Sequence, residues 1–220
     1  MPAHGARALT RRPVFTMNTT DEAVLKHHAL LRLMQLASPA LPVGAYAYSQ
    51  GLEGAVNQGW VHDEESAAHW IHGLLNHTLC RLDVPVLARL YNAWRSQDTP
   101  AVEYWSAFLH AGRESAELQC EDQQLGMALA RLLGELGIAG AETWAAHPCA
   151  SFANLFAFAA AKWTIPLPET AIGYLWAWVE NQTMAAMKLI PLGQSAGQRL
   201  LSRAAEIIPA AVQQGLRIAD

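Results

Sequence analysis

No stretch of this chain alternates apolar and polar residues over the length of a strand. Alanine and leucine far outnumber valine and isoleucine, and the apolar positions recur at three- and four-residue spacing instead. That pattern restricts the chain to an all-α fold. It predicts a single-domain bundle of about ten helices, over 22–37, 49–58, 64–80, 83–97, 100–111, 113–137, 140–147, 150–163, 168–190 and 194–214. With 220 residues there is enough chain for one domain with a sizeable core. No internal repeat or linker divides it.

Local signals punctuate these helices. Asp63 is placed to cap a helix that carries Glu64 and Glu65 in its first turn. Gly137 and Gly140 mark a helix end, and Pro166 and Pro168 open the next long helix. Pro191 and Gly193 close it. That helix, 168–190, is apolar nearly all round and is expected at the centre of the fold, with Ile172, Leu175, Trp176, Val179, Ala186, Met187 and Ile190 on one face. Tyr174, Asn181 and Lys188 recur every seven residues and form one polar line along it. Lys188 has two readings: a cation that suits the helix C-terminus, or a lysine presented beside the Pro191–Gly193 turn to a partner.

From Leu33 through Leu52 there is no charged side chain and no histidine. Pro39 and Pro42 break the helix that enters this run, Gly44 permits a turn, and Ser49 can cap a new helix with Glu53 in its first turn. An uncharged, proline-stiffened loop carrying Tyr46 and Tyr48 is either buried between two helices or covered by another protein.

Charged residues are 15% of the chain, against roughly 25% in typical soluble proteins. Such a surface suits self-association or partner contacts. The net charge of -4 and the lack of a basic patch argue against nucleic acid as a partner. Cys80, Cys120 and Cys149 are odd in number and widely spaced, which fits a reduced, cytoplasmic protein. The segment 151–165 is apolar but short for a membrane span and holds Asn154 and Lys162; it is read as a buried helix, with no membrane partner. Residues 1–21 are basic, lack a secretion-signal core and are read as a disordered leader, with Met17 as an alternative start.

Two clusters invite a chemical reading. Glu65, His69 and His72 share one helical face and could meet one metal ion, the basis for a rival reading as a small helical metalloenzyme. H-E-x-x-H is absent, and surface or half-buried histidines are the default. Glu114, Glu117, Glu121 and Asp122 run along the edge of an apolar stripe, without a nucleophile or cofactor loop beside them. An acidic contact patch or ion pairs with Arg113 account for them better than catalysis. No phosphate-binding loop and no serine elbow occurs, so no catalytic residue and no cofactor is assigned.

LLRLMQLASPALPVGAYAYSQGLE at 30–53 and PLGQSAGQR at 191–199 resemble the two signature segments of the urease accessory protein UreF family. RESAELQCEDQQLG and ENQTMAAMKLIPLGQ agree in order and spacing between them, and the likeness covers about residues 28–203. The resemblance implies an all-helical, homodimeric, non-enzymatic protein of the urease nickel-insertion machinery. It implies a UreD-type partner (UreH in some systems), recruitment of the GTPase UreG, docking on apo-urease, and nickel delivery coupled to GTP hydrolysis by UreG. It further implies a partner-binding set. Tyr48, Ser49, Gln50 and Glu53 come from the first segment; Lys188, Pro191, Leu192, Gly193, Gln194, Gln198 and Arg199 come from the second. Where Gly-Gly-Phe-Ser is usual in the family the chain has Gly44, Ala45, Tyr46 and Ala47, so it departs at Ala45, Tyr46 and Ala47. In the family a C-terminal tail, here about 208–220, orders on binding the UreD-type partner.

Overall fold

A computed structural model describes residues 19–219. Most of the expected leader, residues 1–21, lies outside them; the first helix, α1, runs Thr19–Ala37. There follow α2 (Leu52–Asn57), α3 (Glu64–Leu74), α4 (Val84–Ser96), α5 (Thr99–Ala111), α6 (Ala116–Glu135), α7 (Phe152–Lys162), α8 (Leu167–Leu189) and α9 (Gln194–Gly215). No strand occurs among the described residues. The all-α expectation therefore holds.

The departures from the expected helices have local causes. α3 does not stop near residue 80. It passes into a π-helical segment, Leu75–Asp83, that leads straight into α4. Pro85 has no N–H to give and crowds the turn before it; the wider π turn takes up that crowding while the chain stays helical. The expected helix over 140–147 shrinks to a 3-10 turn at Glu142–Trp144, because Pro148 disfavours further helix and so short a helix nucleates poorly. α2 begins at Leu52, with Gly51 rather than Ser49 at its N-cap position. Ser49 Oγ still accepts from the Glu53 N–H at 3.4 Å. Asp63 caps α3 as expected, in a reciprocal capping box with Ser66.

α6 starts three residues later than expected. Ser115 is its N-cap, so Arg113 lies in the turn before the helix rather than on it. The guanidinium is thereby free to reach two helices at once.

α8 lies at the centre, packed against α1, α2, α3, α4, α7 and α9. Leu175, Val179, Ala186 and Ile190 are buried, as their spacing predicts, but Ile172 is exposed. α7 is buried along nearly its whole length, including Asn154, whose Oδ1 accepts from Trp94 Nε1 at 2.8 Å. The main core joins α4, α6, α7, α8 and α9 around Leu87, Leu90, Leu129, Leu133, Phe156 and Phe158. A second, smaller core of Leu52, Ala67, Ala68, Ala186, Ile190 and Leu200 sits where α2 and α3 meet the end of α8 and the start of α9. Ile208, Ala211 and Val212 are buried in that last helix. No helix among the described residues is long and apolar enough to cross a membrane. All three cysteines are free.

Candidate functional site

The polar line on α8 has a definite counterpart. Each of its members holds a residue distant in the chain. Tyr174 Oη donates to Asp83 Oδ1 at 2.8 Å, Asn181 Nδ2 donates to the Tyr48 carbonyl at 3.0 Å, and Lys188 Nζ donates to the Tyr46 carbonyl at 3.5 Å. Between them, Gln182 Nε2 donates to the Ser49 carbonyl at 3.2 Å. The uncharged loop is thus held along α8 by side chains that donate to its backbone carbonyls, which have no strand pairing to satisfy them. Its turns depend on left-handed residues: Gly44 has φ 82° and Gly51 φ 85°, and Gln50 adopts φ 49° despite its side chain.

The loop is half buried, so the reading of it as buried between two helices holds in part. Tyr48, Ser49 and Gln50 are partly covered, whereas Tyr46 is 69% exposed. Lys188 Nζ stands 5.6 Å from the centroid of the Tyr46 ring, a cation–π pair on the open surface. Lys188 therefore both ends its helix and meets the loop. Beyond it, Pro191, Gly193, Gln194 and Gln198 are exposed and Leu192 is half buried. The two segments, more than a hundred residues apart, form one continuous face.

Gln50 points inward. Its Oε1 accepts from Trp178 Nε1, and its Nε2 donates to Glu121 Oε1 at 2.7 Å. Burial, followed by the neighbouring Asp122, raises the Glu121 carboxyl above its ordinary value, although the Gln50 hydrogen bond opposes the shift. Of the four carboxylates at 114–122, Glu121 and Asp122 on α6 are buried, while Glu117 in its first turn and Glu114 before it remain on the surface.

Arg113 makes the ion pair expected of it with Asp122, at 2.8 Å, and a second with Asp83, also at 2.8 Å. Asp83 is fully buried and accepts from both terminal nitrogens of Arg113 and from Tyr174. Burial alone would lower the Arg113 pKa, but Asp83 and Asp122 drive it well up. The Tyr174 hydroxyl is likewise pushed well up, by burial first and then by Asp83. Asp83 escaped the sequence reading. Its position, two residues before a proline inside a helical pattern, is the signal that could have found it. A cavity of about 640 Å³ lies between the loop, the π-helical segment, α6 and α8, with Leu36, Val43, Leu79, Leu125 and Phe152 among its lining and the Asp83–Arg113–Asp122 group at its wall.

Glu65, His69 and His72 do not form an open ligand set. Glu65 grips Arg203 through bonds of 2.7 and 3.0 Å, and the His69 ring nitrogen lies 3.5 Å from the same carboxylate. Burial, followed by Arg203, lowers the His72 pKa. Among the described residues no three His, Cys, Asp or Glu side chains are grouped to hold a metal ion. One turn along α9, Arg199 holds Glu64 at 2.8 and 2.6 Å. Two parallel ion pairs therefore tie α9 to α3 beside the smaller core.

A sequence profile of the UreF family matches residues 61–205. The chain belongs to the UreF family. It is 52% identical over 189 residues to a protein of Alkalilimnicola ehrlichii named urease accessory protein UreF, covering 86% of this chain and 83% of that one. It is 49% identical over 194 residues to the protein of that name from Pseudomonas putida strain W619, covering 87% and 86%. Against the Teredinibacter turnerae protein of that name the figures are 47% over 195 residues, 88% and 87%. In this UreF chain the first signature segment and the lysine and turn of the second form a joint surface.

Proposed function

We propose that this chain is a urease accessory protein that acts as a non-catalytic helical scaffold in nickel insertion. In this reading it is cytoplasmic and binds a UreD/UreH-type protein. Through that complex it recruits the GTPase UreG to apo-urease, and GTP hydrolysis by UreG is coupled to maturation of the nickel centre. Nickel is cargo here, and the chain needs no cofactor of its own. Membership of the family and the names of its relatives support the reading. So does one structural observation: the loop at 46–50 and the Lys188–Gln194 turn form one surface, fixed by hydrogen bonds from α8.

Its contact residues are Tyr48, Ser49 and Glu53 with Lys188, Pro191, Leu192, Gly193, Gln194 and Gln198, joined by the exposed Tyr46. Gln50, turned inward, and Arg199, exposed but paired with Glu64, hold the surface in place through bonds within the chain. Homodimer formation belongs to the same reading. Val24, Leu30, Leu31 and Met34 on α1 are all more than half exposed, an apolar face suited to being covered.

The test is urease activation in cells that lack their own copy of the gene. Lys188→Ala and Tyr46→Ala, both at exposed positions, should lower activation and the capture of the UreD-type and UreG-type proteins while leaving the circular dichroism spectrum unchanged. Normal activation by both variants would overturn the assigned surface.

A further inference from the structure

We propose that Glu121 is a positioning residue for the signature loop, acting through Gln50 from a helix that belongs to neither signature segment. The inference rests on the proposed function only in its final step, the effect on partner capture.

The loop has only part of an apolar footing. Val43, Ala45 and Tyr48 pack against the main core, but the cavity of about 640 Å³ lies beneath the loop, so close packing alone does not fix where its backbone runs. Its backbone hydrogen bonds from α8 come from Asn181, Gln182 and Lys188 and reach the carbonyls of Tyr48, Ser49 and Tyr46 respectively, all from one side. A segment held along one edge can still swing about that edge. Gln50 supplies the second anchor. Its amide spans the gap from Trp178 on α8 to Glu121 on α6, joining residues 128 and 71 positions away. Both ends of the amide are used, and Glu121 is only 6% exposed, so the pair is turned into the chain rather than toward a partner.

The backbone at Gln50 agrees with this role. It holds φ 49°, a left-handed conformation that is costly for a residue with a side chain, and Gly51 beside it holds φ 85°. Two consecutive left-handed residues make the turn that brings Tyr46 and Tyr48 over α8, and the crossbar keeps Gln50 in that conformation. The bond needs an oxygen acceptor at position 121, which glutamine supplies in place of glutamate; the charge is not required.

The test uses the full chain. Amide hydrogen exchange is followed at Ala47, Tyr48 and Leu52, whose N–H groups bond to the Gly44, Ala45 and Ser49 carbonyls. Glu121→Ala should speed exchange at these amides by about ten-fold or more, with the α7 core amides unchanged. Glu121→Gln, which keeps the acceptor, should stay within about two-fold of wild type. Gln50→Ala should match Glu121→Ala, and the double variant should be no faster than either alone. Unchanged loop exchange in Glu121→Ala and Gln50→Ala, or equal acceleration by Glu121→Gln, overturns the proposal. If Glu121→Ala fails to fold, Gln50→Ala and Glu121→Gln still decide it.

Capture of the cognate UreD-type and UreG-type proteins is the second readout. It should fall in Glu121→Ala and persist in Glu121→Gln. If the exchange pattern is as stated while the wild-type chain captures neither protein, the positioning role stands and the proposed function fails.

Discussion

Arg199 and Glu64, 135 positions apart, face each other through two hydrogen bonds of 2.8 and 2.6 Å. The planar guanidinium matches the carboxylate in a fork, the geometry in which an exposed ion pair gains most. One turn further, Arg203 repeats the arrangement with Glu65. The start of α9, and with it the Pro191–Gly193 turn, is set against α3 by this double clamp.

If Arg199 acts by positioning, exchanging the charges should restore what a single change removes. Arg199→Glu alone should weaken capture of the partner proteins, and Glu64→Arg/Arg199→Glu should recover most of it. A direct contact between Arg199 and a partner predicts no recovery. A binding titration of the three proteins separates the two outcomes.

The clamp should also be sensitive to acid. Hydrogen bonds from Arg199 and Arg203 hold the Glu64 and Glu65 carboxyls below their ordinary value of 4.5. A depressed folded-state pKa contributes stability that is present above the unfolded value and lost as pH falls through the folded one. Below pH 4.5 the wild type should therefore lose more stability than Glu64→Gln/Glu65→Gln, a difference that thermal melts across that range can measure. Glu65 is largely exposed and Glu64 half buried, with Arg199 on the open side of its pair, so the effect is small and weakens in salt.

Glu121 predicts the opposite slope. Burial raises its pKa above the ordinary 4.5, so the favourable state is the protonated one. Its contribution is present below 4.5 and is lost as pH rises through the raised value. Glu121→Gln removes that loss. The variant should gain stability relative to wild type between pH 4.5 and neutrality, as read by denaturant midpoints at each pH.

Arg113→Met should be the most damaging of these changes. It leaves Asp83, which is fully buried, and Asp122 without their cation. Removing one member of a buried ion pair costs about 3–5 kcal/mol. Tyr174→Phe deletes one hydrogen bond to the same carboxylate and should cost about 1.5–3 kcal/mol, since the acceptor is charged. Chemical denaturation of both variants checks the order: a Tyr174→Phe loss equal to that of Arg113→Met would contradict the assignment of the cation as the keystone.

Much of the helical frame was legible from spacing and caps. Asp63, Pro168 and Pro191 mark helix ends because capping and proline geometry act over a few residues. The misread boundaries share a cause: local signals compete. A break was expected between helices over 64–80 and 83–97, yet a π-helical segment lets the first continue into the second. The sequence 140–147 looked helical, yet it is too short to hold a helix against the proline that follows.

By itself the sequence determined that the chain is helical, that α8 is its apolar centre, and that Tyr174, Asn181 and Lys188 share one line upon it. Those are consequences of a 3.6-residue period, which any stretch of chain carries within itself. Only the tertiary structure decided what that line faces. Asp83 lies 91 positions from Tyr174, and Tyr48 lies 133 from Asn181. Burial of the apolar faces brought those segments together; it sets which helices touch and is indifferent to the polar atoms that meet as a result. The inward turn of Gln50 and the clamp on Arg199 were decided there too. Both depend on where a carboxylate on another helix comes to rest, and no spacing within either signature segment encodes that position.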